Sequence, residues 1–423
     1  MSILLRGGLV IYGEGFEPVR ADVLIEGDRI VRVARGISAE ADEVIDASGR
    51  VIIPGLINAH THSPMTLLRG LADDLPLMEW LQNYIWPAER KLGRREVYWG
   101  ALLGLIEMAK SGTTTFVDMY FHMDAVAEAV MKVGLRAFLG YGMVDLGNEE
   151  KRKAEIRETE RFMKFIEELG DRRINFILAP HAPYTCSPEC LRWVAERARE
   201  GILVTIHLAE TREEVKEIKE RYGMTPVQLL DSLGLLTPGT IAAHGVWLDE
   251  RDAKILATRE VTIVHCPASN MKLASGVMPL KMLLKAGVNV ALGTDGAASN
   301  NNLDMLEEMK LVALLHKVHT LDPTVADAKM VLRMATVHGA RALGLKAGII
   351  KEGYLADLAV IDFRRPHLRP LNDPVSHLVY SARGGDVEDL IVAGKIVMLD
   401  GEVLGVDEEK VLDKVENIRE VVI

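Results

Sequence analysis

The chain has 423 residues, 48% hydrophobic and 26% charged, and a net charge of −11. That length and make-up describe an ordinary soluble globular protein with a large core: one big domain plus a smaller one, or a single elaborated α/β barrel. The acidic balance, with no basic block to offset it, excludes a general attraction to nucleic acid or anionic lipid, and three cysteines (Cys186, Cys190, Cys266) are too few for a full disulfide framework.

The first residues, Met1 to Gly8, carry an apolar run too short for a signal peptide, and no run of about 18 apolar residues follows anywhere, so a cytoplasmic protein is expected. Residues 21–26 and 29–33 flank Gly27-Asp28 as a β-hairpin, and a second strand pair is expected around Ser48-Gly49. These strands are too few to make a stable sheet alone. From Leu56 to about Gly348 short apolar runs alternate with longer amphipathic stretches, the pattern of βα units and a parallel sheet. The runs expected as strands are 56–58, 114–117, 136–141, 174–179, 203–206, 240–243, 262–264 and 288–293. Helices are expected at 95–110, 152–169, 188–200 and 250–258, with Ser187 and Asp249 as caps. Eight such units, with no glycine-rich phosphate loop after the first strand, argue for an α/β chain folded as a (β/α)8 TIM-type barrel rather than an open doubly wound sheet.

Barrel enzymes carry their chemistry at the C-terminal ends of the strands. The polar residues that follow the apolar runs are His60 and His62, Asp118, His181, His207, His244, His265 and Asp295. In a strand, residues two apart share a face, so the imidazoles of His60-Thr61-His62 converge and suit one metal ion. The metal ligands expected are His60, His62, His207 and Asp295. The other histidines, His122, His316, His319, His338, His367 and His377, fall on helices or outside the barrel and are read as structural. Cys186 and Cys190 have the spacing of a metal half-site, but no second pair completes it, and they are read as buried or incidental thiols.

The segments Pro54 to His62, His207-Leu208-Ala209-Glu210-Thr211, Ala243-His244-Gly245, His265 to Leu273 and Leu292 to Asn301 resemble the amidohydrolase superfamily. Within it they are most similar to the deaminases of S-adenosylhomocysteine, 5'-methylthioadenosine and 5'-deoxyadenosine. The resemblance runs over nearly the whole chain, including Gly353 to Asp362. It implies that residues 1–54 and 351–423 join as a small β-sandwich subdomain beside a barrel of residues 55–350.

The chemistry fits that resemblance. Hydrolysing an amidine C–N bond near neutral pH needs a strong nucleophile, and zinc supplies one by lowering the pKa of a bound water towards about 7. Glu210, three residues beyond His207, is placed to take the water proton and deliver it to a ring nitrogen. The resemblance assigns His244 and Asp295 to holding and polarising the nucleophile, with Asp295 passing a proton to ammonia. Ala179-Pro180-His181 offers no lysine to bridge two metals, so one divalent ion, zinc, is expected. The resemblance also implies that Glu89 takes the ribose hydroxyls and that His181 contacts substrate. Trp80, Tyr84 and Trp86 pack as core or lid, or line the site. Tyr141 stands where some relatives carry an arginine that meets the homocysteine carboxylate, and Arg152 or Lys153 is the other basic contact considered. The expected partner is a small nucleoside, with a homo-oligomer usual for such relatives. The competing readings are a guanine deaminase or s-triazine chlorohydrolase on the same scaffold, and a non-catalytic scaffold.

Overall fold

The computed structural model describes residues 2–75 and 77–422. Its centre is a ring of short parallel strands: Leu56–Thr61, Thr113–Tyr120, Arg136–Met143, a fourth in two pieces (Ile174–Phe176 and Ala179–Pro180), Val204–Leu208, Thr240–His244, Thr262–His265 and Asn289–Leu292. Each expected strand is found, extended towards its C-terminal end in most cases. Strands buried on both faces need no polar alternation, which is why they read as continuous apolar runs.

The strands pair in chain order in two groups, first to fourth and fifth to eighth. Two seams turn these groups into a closed barrel. At one, Leu178 N donates to Leu203 O at 2.9 Å, Thr205 N to Leu178 O at 2.8 Å and His207 N to His181 O at 3.0 Å. At the other, Asp295 N donates to His60 O at 3.0 Å. Asn58 and Thr294 reinforce that seam: Asn58 Nδ2 donates to Thr294 Oγ1 at 2.7 Å, and Thr294 N donates to Asn58 Oδ1 at 3.0 Å. The second seam therefore joins two residues of the expected ligand set directly through their backbones.

Helices cover the ring. Pro188–Arg199 shows why they form where they do: Ser187 caps it by accepting from Cys190 N, Pro188 takes the first helical position, and Cys190, Leu191, Val194, Ala195 and Ala198 make one buried stripe. Asp249 caps Glu250–Thr258 in the same way. Cys186 and Cys190 are both buried and unbridged. Among the described residues no helix is long and apolar enough to cross a membrane.

The terminal strands combine into one continuous nine-stranded sheet, in which Arg50–Pro54 pairs antiparallel with Leu358–Asp362 and thereby joins the two ends of the chain. Ile3, Leu5, Val10, Val23, Ile25, Ile52, Val360 and Ile391 form a buried cluster of that sheet's own. The hairpin of Glu17–Glu26 with Arg29–Ala34 is present. The strand pair expected around Ser48-Gly49 is not. Glu43–Asp46 and Arg50–Pro54 lie end to end, each parallel to Ser2–Tyr12. The first strand is long enough to offer both a partner, and Ala47 N donating to Arg6 O at 2.9 Å carries the chain along that edge instead of reversing it. Sheet and barrel are tied by a buried fork: Arg136, from the third barrel strand, donates to Asp357 Oδ2 at 2.9 Å and Oδ1 at 3.1 Å. Removing one member of such a pair leaves an uncompensated buried charge, at a cost of about 3–5 kcal/mol.

Gly293 sets how closely the second seam can shut, since a Cβ there would stand 2.8 Å from both His60 N and His60 O. Backbone on both sides cannot yield as a flexible side chain does. Gly293→Ala is expected to destabilise the fold by about 1–3 kcal/mol, read as a lowered denaturation midpoint. An unchanged midpoint would show that the seam has slack.

Candidate active site

His60, His62, His207 and Asp295 come together at the C-terminal rim, with ligand atoms all within 4.8 Å of one another. His62 Nδ1–H donates to Met119 O at 2.7 Å, and His207 Nδ1–H to His181 O at 2.7 Å. Each neutral ring then has only the lone pair of Nε2 to present inward, and the two Nε2 atoms face each other at 3.2 Å. Asp295 Oδ1 adds negative charge 3.2 Å from His62 Nε2 and 3.5 Å from His60 Nε2. His60 Nε2 is buried with no hydrogen-bond partner. Converging lone pairs and a carboxylate in a dry place repel unless a cation stands among them, and backbone carbonyls on the far ring nitrogens are the usual support of ligating histidines. The residues fit a divalent metal.

A proton is the alternative cation. Burial disfavours a charge on His62, but Asp295 outweighs it and lifts the pKa to about 9. Burial holds His60 down to about 4 and His207 well below the usual value. In Asp295, burial works upward, but His60 and His62 prevail and keep the carboxyl well below its usual range. Its Oδ2 accepts from Ser269 Oγ at 2.7 Å and Ser299 Oγ at 2.8 Å, which turns Oδ1 towards the histidines.

Three residues at the rim have left-handed backbones: Ala209 (φ 50°), His244 (φ 74°) and Asp295 (φ 59°). Non-glycine residues adopt this region at a cost, and it collects at functional sites. After His207, the break at Ala209 brings Glu210 to the rim, where Glu214 fixes its backbone by accepting from Ala209 N at 2.8 Å and Glu210 N at 2.9 Å. The Glu210 side chain is 14% exposed, with Oε2 3.8 Å from His244 Nε2 and Oε1 accepting from Ser275 Oγ at 3.4 Å. Burial raises its pKa, against the pull of His244. His244 Nδ1–H donates to Asn270 Oδ1 at 2.9 Å, which leaves Nε2 turned to Glu210. Burial opposes a charge on His244, while Glu210 and Asp295 more than offset it.

His181 stands beside His207, ring centroids 4.7 Å apart, with Nδ1 bonded to Thr185 Oγ1 at 2.9 Å. Burial and the neighbouring histidines lower its pKa to about 4, so it is neutral at pH 7. Glu89 is half-buried at the end of the stretch Trp86–Glu89, and its Oε1 accepts from Tyr120 OH at 2.8 Å. Trp80 is core, its Nε1 donating to Leu71 O at 3.1 Å, whereas Tyr84 and Trp86 are exposed. A cavity of about 1050 Å³ opens at this rim, lined by Leu75, Met78, Tyr184, Arg212, Trp247 and Ser275 among others. Of the strand-end residues outside the metal group, His181 and His244 flank it, whereas Asp118 binds Ser63 through the serine's backbone N–H and hydroxyl, and His265 turns to His316, Nε2 to Nε2 at 2.9 Å. Ser269, Asn270, Ser275, Ser299, Glu214 and Tyr120 were not singled out from the sequence. Ser269, Asn270 and Ser299 lie in the stretches that carried the family resemblance, which was their one signal.

A closed (β/α)8 barrel with three histidines and one aspartate converging on a cation site at its strand ends, flanked by a half-buried glutamate and a fourth histidine, defines a metal-dependent hydrolase. The chain belongs to the amidohydrolase family, whose profile matches residues 51–397. It is 67% identical over 400 residues to the 5-methylthioadenosine/S-adenosylhomocysteine deaminase of Thermococcus sibiricus, covering 94% of each chain. To the 5'-deoxyadenosine deaminase of Methanothermobacter thermautotrophicus it is 52% identical over 417 residues, 98% of this chain and 97% of that one. Among solved structures it is similar to a zinc-bound adenosine deaminase from Xanthomonas campestris, at a TM-score of 0.95 and 36% identity, covering 99% of this chain and 98% of that one.

With His62 near 9, metal binding below that pH must displace one proton, and the other two histidines do not titrate between pH 6 and 8. The apparent affinity for Zn2+ is expected to weaken about tenfold per pH unit over that span as pH falls. Competition against a chelator at pH 6, 7 and 8 measures this; a flat profile contradicts the exchange of metal for proton at His62.

Proposed function

We propose that the chain is a metal-dependent hydrolytic deaminase of adenosine-type nucleosides: 5'-deoxyadenosine, 5'-methylthioadenosine, S-adenosylhomocysteine and adenosine, converted to the inosine analogues and ammonia. The observation that carries this reading is Glu210, half-buried at the edge of the cation site, 3.8 Å from His244 Nε2. The names and zinc content of the relatives and neighbour above support it.

His60, His62, His207 and Asp295 hold one divalent ion, zinc, which when bound supplies a water acidic enough to act as nucleophile near neutral pH. Glu210 takes a proton on its carboxylate and delivers it to the purine ring nitrogen beside the amino-bearing carbon. Its raised pKa brings it closer to neutrality, where a carboxyl group both accepts and returns a proton readily. His244 presents Nε2 to the attacking oxygen. Asp295, its Oδ2 steadied by two serine hydroxyls, starts as a carboxylate, takes the second proton of the attacking oxygen and passes it to the departing ammonia. Glu89 accepts the two ribose hydroxyls, and His181 touches the substrate beside the metal group. At the rim of the third strand, Tyr141 sits beside Glu155 and Arg152 leans to Asp145 at 3.8 Å, so both are engaged by acidic side chains of this chain, which supports small or neutral 5'-substituents over a carboxylate.

A panel of the four adenosines and guanine, followed by ammonia release and the adenine-to-hypoxanthine absorbance change, tests the reading. Turnover of the adenosines is expected, with 5'-methylthioadenosine and 5'-deoxyadenosine ahead of S-adenosylhomocysteine. Glu210→Gln is expected to lower kcat by about 10²–10⁴-fold with metal content unchanged. Activity on guanine alone would discard the nucleoside assignment.

A further inference from the structure

Glu89 raises a mechanical problem. Its carboxylate is offered from a chain of short helical turns, Leu77–Trp80, Leu81–Ile85 and Trp86–Glu89, laid across the rim rather than from a barrel strand. A carboxylate that must accept two hydroxyls at once needs its plane fixed, because each oxygen serves one donor. Short turns held by side-chain packing do not by themselves fix it.

Tyr120 fixes it. This residue ends the second barrel strand, is 4% exposed, and packs in the same buried cluster as Trp80, Ile85 and Ala88. Its hydroxyl donates to Glu89 Oε1 at 2.8 Å, and among the described residues this is the one hydrogen bond that carboxylate receives. Oε2 and the second lone pair of Oε1 remain open. Tyr120 directly follows Met119, whose carbonyl holds His62, so the bond from Tyr120 ties Glu89 to the edge of the metal group.

The electrostatics agree. Burial raises the Glu89 pKa, and the Tyr120 hydrogen bond and His62 work against that rise. Burial and the nearby Glu89 push the Tyr120 phenol well above its ordinary value, so it stays a donor at every working pH. A phenylalanine at 120 would keep the packing and lose only the donor. We propose that Tyr120 is a positioning residue for ribose recognition: it orients the Glu89 carboxylate so that the site selects nucleosides with a vicinal 2',3'-diol over those without one.

The inference rests on the deaminase reading and on Glu89 as the diol acceptor, and the experiment separates the three. Wild type, Tyr120→Phe and Glu89→Ala are assayed with adenosine and 2',3'-dideoxyadenosine. A hydrogen bond to a charged group is typically worth about 1.5–3 kcal/mol, or roughly 10–100-fold. Tyr120→Phe is therefore expected to raise the KM for adenosine at least about tenfold, with kcat within about twofold and dideoxyadenosine kinetics unchanged. In the Glu89→Ala background the same substitution is expected to change nothing further. Should the phenylalanine variant prove insoluble, Tyr120→Met, which also deletes the hydroxyl, is expected to give the same selective loss. An equal loss on both substrates, or none on adenosine, overturns the positioning role while leaving the deaminase standing. A wild type that treats both nucleosides alike overturns the diol role of Glu89 and this inference with it, and one that deaminates neither overturns the proposed function as well.

Discussion

His62 and His207 spend their Nδ1 protons on backbone carbonyls and turn Nε2 lone pairs on each other across 3.2 Å. Burial, the carboxylate of Asp295 and the bare Nε2 of His60 make that arrangement tolerable only around a positive charge. Much of the rim is built to keep it so. The barrel closes where Asp295 meets His60, backbone to backbone, and the missing side chain of Gly293 lets the strands approach. Closure of the barrel and assembly of the cation site are thus the same event.

The loops after the seventh and eighth strands extend the constraint outward. Ser269 and Ser299 hold the same oxygen of Asp295, and Asn270 holds His244. Behind both loops stands Glu308, fully buried on the helix Met305–Thr320; it accepts from Ala268 N at 3.3 Å and from Asn300 Nδ2 at 2.6 Å. One side chain therefore spans the two loops that orient the ligand carboxylate and the histidine beside Glu210. Support of this kind sets ligand geometry and basicity, so the chemistry depends on more than the ligands.

Residues 70–75 and 77–89, which follow the first barrel strand, contribute Asp74, Leu75 and Met78 to the cavity at the rim. Lys272 pairs with Asp73 at 2.7 Å and also bonds Asn301. Trp80, buried in the core, donates to Leu71 O within the same stretch, and Glu89 reaches back to Tyr120. The same segment thus lines the cavity and carries the carboxylate assigned to ribose.

The order of eight apolar runs, the caps on the helices and the His, Glu and Asp residues at strand ends were legible in the sequence, because burial on two faces, helix capping and the step from strand to loop are local properties of the chain. Which strand-end residues face the metal was only partly legible: His244 and Asp295 come to the site through left-handed backbones, while His265 turns outward to His316. The pairing of Glu43–Asp46 and Arg50–Pro54 depended on a partner, Ser2–Tyr12, that lies far back along the chain. The hydroxyl of Tyr120 on Glu89 and the two serines on Asp295 likewise join loops that meet only because the barrel is closed. The sequence by itself determined the repeat and the chemical inventory, since these follow from neighbours in the chain; the tertiary structure alone decided which tautomer, rotamer and hydrogen-bond partner each group takes, since those depend on atoms that folding brings together.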